Sequence, residues 1–400
     1  METQGNNSHN FSNWYDKHYK ILLIIPAIIL LVSIFYLMSF YQQHGDLISK
    51  DVSLTGGTSI TVFDQQIDSK KIQSALKVQF PDLNVRSISD IRTGKQHGFT
   101  LESQQSVETL KNSLEKELGY NLTTENSSVE FSGSSLSKGF YTQLIHAVIV
   151  AFLLMGLVVF VIFGSSRKMK LLSGIITSIC VHMLFNTVAL LNFLSIFGFL
   201  LGTIGYIIII TKSSNRNVTM EIIILVGVSL LLLNHTFIQS ALPFISIYYL
   251  IVPLIIALIF IYTIESVPSI AVILAAFADI VMTLALVDFL GMRLSGAGIV
   301  AFLMLIGYSV DTDILLTSRL LKNKDGTINQ RIFGAFTTGI TMTLAAIAAV
   351  GVSLAVIYSF SETLRQIFEI ILIGLFFDII NTWITNASIL KWHMEANNLT

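Results

Sequence analysis

Apolar residues run in long blocks along this chain, broken by short polar stretches, and a single extended polar section interrupts them near the start. A block of about 20 apolar residues is long enough to cross a bilayer as a helix. On that rule the pattern predicts spans at roughly 21–40, 141–164, 171–189, 191–211, 219–237, 242–263, 268–289, 296–318, 332–358 and 366–390. The polar tails are residues 1–20 and 391–400. The hydropathy barely dips between 170 and 211, so the break there rests on the weakest contrast.

The polar section, 41–138, changes period. Thr58–Phe63 alternates like a strand after the turn pair Gly56-Gly57. Ile72, Leu76 and Phe80 share a helical face in Ser69–Phe80, with Pro81 just past its end. Leu83–Ile88 and Gly98–Glu102 read as strands, Ser106–Leu118 as a helix with Leu110, Leu114 and Leu118 in register, and Ser128–Phe131 as a last short strand. The order βαββαβ is the split, ferredoxin-like pattern. The predicted fold class is therefore a polytopic α-helical membrane protein of about ten spans with a small external α+β domain.

Composition agrees. The chain has 400 residues, 53% hydrophobic and 12% charged, against about 25% charged in soluble proteins. Net charge is −1, which gives no electrostatic footprint for nucleic acid. Cys180 is the only cysteine, which excludes an intrachain disulfide and a thiolate metal site. The first apolar run lacks a small-residue cleavage site and reads as a span. Basic residues set the orientation. Lys17 and Lys20, Arg167-Lys168-Met-Lys170, Lys212 with Arg216, the loop 319–331 and Lys391 all fall on one side under a ten-span count. That side is the cytoplasm by the positive-inside rule, so both termini are expected inside and 41–138 outside.

Chemistry-bearing residues sit where lipid should be. Asp279, Asp311, Asp378 and Thr341 lie about 12–20 Å from the inner ends of their predicted spans. Asn381 and Asn386 follow Asp378 in the same span. Asp311 and Asp313 are about 200° apart around a helix and cannot share a face. Asp311 is expected to point inward and Asp313 to lie nearer the inner boundary. Ionisable groups at this depth mark a pathway or a relay, and they pack inward. Three uses fit these residue types: hydrogen bonding between helices, proton transfer, and a cation site. No Gly-x-Gly-Asp run supports an intramembrane aspartyl protease. There is no P-loop run for an ATPase and no zinc-type His spacing. No catalytic residue, metal or cofactor is expected.

Gly307-Tyr-Ser-Val-Asp-Thr-Asp-Ile-Leu-Leu-Thr-Ser-Arg-Leu-Leu-Lys322 resembles the fourth span of the SecF family of protein-export membrane proteins, in its archaeal form. Leu54-Thr-Gly-Gly-Thr-Ser-Ile-Thr61 is similar to the entry of that family's first external domain. Ser269–Ile280 is similar to its third span and Asp378–Lys391 to its last. The resemblance covers roughly 1–165 and 262–395. It implies a six-span core related to the resistance-nodulation-division transporters, a SecD-type partner, association with a SecY-containing translocation channel, exported polypeptides as cargo, and use of the proton gradient. It maps the family's carboxylates onto Asp279 and the Asp311/Asp313 pair. Two departures stand out. Residues 166–262, with four apolar runs, are extra. Ala335 stands where bacterial members carry an arginine, and Thr312 where they carry the partner aspartate. The alternative is a proton- or cation-coupled transporter of small or lipid-like substrates.

Overall fold

The computed structural model describes residues 15–89, 95–185, 247–322, 326–358 and 361–397. It divides into two compact units, Met1–Val148 with Leu274–Thr400, and Ile149–Ile273.

In the first unit, helix α1 (Ile24–His44) extends a helical run that begins at Tyr15. The short α2 (Val52–Thr55) leads into β1 (Gly57–Val62), α3 (Ser69–Lys77), β2 (Asn84–Ser89), β3 (Gln96–Ser103), α4 (Val107–Leu118) and β4 (Ser127–Ser132). The sheet order is β2-β3-β1-β4 and every neighbouring pair is antiparallel. Residues at alternate positions explain the packing. Ile60, Val62, Phe99 and Leu101 meet Ile72, Leu76, Leu110 and Leu114 of the two helices in one buried core. Both helices start on side-chain caps, Asp68 for α3 and Ser106 for α4. The opposite sheet face, with Ser59, Thr61, Arg86, Thr100 and Glu102, is polar.

Gly56 and Gly57 need to be glycine. Both have positive φ, and a Cβ on Gly56 would lie 2.4 Å from the Ser134 backbone while one on Gly57 would lie 2.4 Å from the Ser103 carbonyl. The pair lets β1 pass under the start of α5 (Ser134–Phe163).

Helix α6 (Arg167–Phe185) and α7 (Ile247–Glu265) belong to the second unit. Cys180, Leu184, Ile251, Leu258 and Tyr262 pack there with Val150, Leu153 and Phe160 of α5, and the Phe160 and Tyr262 rings are 4.6 Å apart. The basic cluster Arg167–Lys170 forms the first turn of α6 rather than a loop. The runs 191–211 and 219–237 lie outside the described residues.

Helices α8 (Val267–Phe289), α9 (Gly296–Lys322), α10 (Ile328–Ile357) and α11 (Glu362–Ile380) follow. A π-helical turn, Asn381–Asn386, continues α11 into α12 (Ala387–Ala396), so that Glu362–Ala396 is one long rod. Among the described residues, six helices are long and apolar enough to cross a membrane: Tyr15–His44, α5, α8, α9, α10 and Glu362–Ala396. The α+β domain is tied to one end of this unit. The Leu294 amide donates to the Ser49 carbonyl (2.7 Å), the Asp51 amide to the Leu294 carbonyl (3.0 Å) and the Gly296 amide to Ser53 Oγ (3.1 Å). Ile48 and Leu54 bury beside Leu294, Ile299 and Ile370.

Candidate functional site

Three helices converge on a buried polar centre. Asp279 of α8 and Asp313 of α9 are wholly buried, and Asp378 of α11 is 1% exposed. The Ser309 hydroxyl donates to Asp279 Oδ2 (2.5 Å), and Asn381 Nδ2 donates to Asp279 Oδ1 (2.7 Å). Asn386 Nδ2 donates to Asp313 Oδ1 (2.8 Å), and the Thr382 hydroxyl donates to Asp378 Oδ1 (3.1 Å). Thr385 closes the set by donating to Asn381 Oδ1 (3.2 Å).

The π turn is what makes this geometry. Its i→i+5 bonding stacks residues five apart, which an α-helix would splay. Asn381 and Asn386 are five apart, and each reaches a different carboxylate. Asp313 Oδ2, Asp378 Oδ2 and Asn386 Oδ1 make no hydrogen bond among the described residues. No lysine or arginine of the described residues forms an ion pair with any of the three aspartates. Acceptor oxygens crowded without donors are costly in the interior, and a proton on a carboxyl group converts one acceptor to a donor.

Asp311 does not point inward. The buried positions of α9 include Leu305, Ser309, Thr312, Asp313, Leu316 and Leu320, whereas Met304, Tyr308 and Asp311 are exposed. The face is set by spacing of three and four residues, which puts Asp313 with Ser309 and Leu316. Thr341 is likewise exposed on α10 and bonds its own helix at the Thr337 carbonyl (2.7 Å); Thr343 is the buried threonine there. The structure thus brings together Asp279, Asp313, Asp378 and Asn381, and leaves Asp311 and Thr341 outside. It adds Ser309, Thr382, Thr385 and Asn386. Of these, the three-and-four spacing of Ser309 to Asp313 and of Asp378 to Thr382 and Asn386 was the available signal.

A second polar cluster lies where the α+β domain meets the helix ends. The Glu102 carboxylate, 4% exposed, pairs with Arg86 and with Arg293 (3.4 Å). Arg86 also pairs with Glu362 (2.9 Å), which accepts from the Thr100 hydroxyl (3.1 Å). These groups line a cavity of about 400 Å³ together with Asp51 and Gln366. Burial, and then the nearby Glu102 charge, pushes the Asp51 carboxyl up to about 6, although Ser53 donates to it.

The fold and the site define a multi-helix membrane protein with a buried carboxylate centre and an α+β domain at one end. Residues 210–396 match the family model for the C-terminal region of the protein-export membrane proteins SecD/SecF. The protein-export membrane protein SecF of Methanothermobacter thermautotrophicus is 47% identical over 143 residues, 35% of this chain and 50% of that protein. SecF of Methanolacinia petrolearia is 47% identical over 131 residues, 32% of this chain and 46% of that protein. The aligned part of the chain spans about half the length of the curated relatives it matches. The crystal structure of SecDF, a translocon-associated membrane protein from Thermus thermophilus, superposes with a TM-score of 0.53 at 12% identity, over 96% of this chain and 38% of that one. That likeness is one of fold. Over the matched segments the chain is similar to archaeal SecF proteins, in line with the resemblance that its motifs carry.

Proposed function

We propose that this chain is an accessory membrane subunit of a Sec protein-export machinery that works with a SecD-type partner to promote translocation of polypeptides. The observation that carries the reading is the 47% identity to SecF proteins over segments of 131 and 143 residues. On this reading the chain sits in the cytoplasmic membrane with ten spans, both termini inside and a ferredoxin-like domain, 41–138, outside. It engages a SecY-containing channel and the surrounding lipid, and it performs no catalysis of its own.

The centre formed by Asp279, Asp313 and Asp378 is the element that would couple export to the proton gradient. Three buried carboxyl groups meet there with no ion-pair partner among the described residues, and asparagine and threonine side chains are among their hydrogen-bond donors. Ala335 stands where the resemblance implies an arginine in bacterial members, so coupling on this reading would run through carboxyl groups and amides.

The test is affinity purification of the chain from its own membranes in mild detergent, with mass spectrometry of what accompanies it. Recovery of a SecD-type chain is the expected result. Recovery of a lone homo-oligomer would overturn the export reading and point to a self-contained transporter.

A further inference from the structure

A buried polar column leads from the carboxylate centre to the end of the unit remote from the α+β domain. Along the last helical rod, Asp378, Asn381, Thr385, Ser388 and Lys391 follow at spacings of three and four residues and are 1%, 0%, 8%, 0% and 1% exposed. The first three belong to the centre already described. Ser388 lies within 3.5 Å of the Tyr15 hydroxyl. The column ends at the Lys391 ammonium, which hydrogen-bonds Asp16 and Asn329 and lies 3.7 Å from Glu395. The Tyr15 and Tyr19 rings cover the ammonium at 5.0 and 5.2 Å, and the Tyr19 hydroxyl donates to Glu395 (2.6 Å).

We propose that Lys391 is a gate that separates this column from water, latched by Asp16, Asn329 and Glu395. Position is the argument. The ammonium is buried, but the Asp16 and Glu395 side chains that hold it are 45% and 42% exposed. The ammonium, with the Tyr15 and Tyr19 rings over it, therefore stands between solvent and the buried polar positions of the rod. The latch partners come from three separate chain segments: the helical run before α1, the first turn of α10, and the end of the last rod. A buried ammonium is costly without its partners, so a relative shift of any one segment weakens the closed state. Wholly buried Leu390 and Ala387 pack beside the ion pair, and buried Ser388, Asn386 and Thr385 supply polar groups behind it. The inference deepens the proposed coupling role, on which its purpose rests, but its geometry stands apart from that role.

The test reads access rather than export. The full chain, with Cys180→Ala, carries Ser388→Cys as a near-isosteric probe one turn behind the gate. A membrane-impermeant maleimide is applied to open membrane fragments. Asn397→Cys, on the exposed far side, is the fast control. With the gate intact the Ser388→Cys thiol should react far more slowly than the control. Lys391→Gln or Asp16→Asn should speed it about tenfold, as losing about 1.4 kcal/mol of closure would do. The charge exchange Asp16→Lys with Lys391→Asp should restore slow labelling, which separates gating from misfolding. Fast labelling with the native gate, or unchanged slow labelling in both single variants, would overturn the gate. Faster labelling in the gate variants, with export indifferent to Asp313→Asn, would keep the gate and defeat the coupling role.

Discussion

At the scale of single residues, the carboxylates fall into two kinds. Asp313 is wholly buried and accepts from Asn386 of the last rod, whereas Asp311 is exposed. Asp313→Asn should therefore stop export of a secreted reporter in the native host while the chain's membrane abundance stays normal, and Asp311→Asn should have the smaller effect. Equal effects in a secretion assay would deny Asp313 its special place. Asn381→Leu should cost about 1–3 kcal/mol, because it strips Asp279 of a buried donor; thermal unfolding in detergent measures it. Asp51 behaves differently because it lies outside the spans. Its carboxyl has a pKa of about 6 in the folded chain against the ordinary 3.8. The folded state thus holds the proton more tightly than the unfolded one. The stability this contributes is full below about pH 4 and is lost as pH rises through about 6. Asp51→Asn should flatten the melting temperature over that window; an unchanged slope would show that another group titrates.

At the scale of elements, the last helical rod does the most. Its π turn aims Asn381 and Asn386, and it brings Trp383 against Gly339 of α10, where a Cβ would come within 2.4 Å of the indole. Gly339→Val should destabilise by about 1–3 kcal/mol through overpacking, and a melt in detergent would detect the loss. The order of elements in 41–138 was legible in the sequence, because strand alternation, helical spacing, Pro81 and the Ser106 cap all agree there. Six of the predicted spans correspond to helices long and apolar enough to cross a membrane, and α8, α9, α10 and the rod Glu362–Ala396 lie close to the predicted limits. The inward face of α9 carries Asp313 rather than the expected Asp311. In a membrane helix both faces are apolar, so burial leaves a weak trace, and the small steps from Ser309 to Thr312, Asp313 and Leu316 had to outweigh the more central position of Asp311. The π turn had no sequence signal at all, since one extra residue per turn depends on what the side chains find to bind.

At the scale of the whole molecule, the chain contains a unit that carries the carboxylate centre, the α+β domain and the Lys391 gate, and a second unit, Ile149–Ile273, that carries none of them. Excising 166–262 and rejoining the ends should leave the first unit membrane-inserted with its thermal transition intact. Loss of the chain from the membrane fraction would show that the second unit is needed for folding.

The sequence alone determined the membrane class, the place and element order of the α+β domain, and the resemblance to SecF proteins, because each rests on local pattern: block length, period and motif. Tertiary structure decided which aspartates meet, through the inward face of α9 and the register shift of the π turn. It also decided that Lys391, a boundary residue by sequence, is a buried ammonium held by Asp16 and Asn329 from two distant segments and by Glu395 one turn along its own helix. Those outcomes depend on partners far apart in the chain, and local pattern carries no record of them.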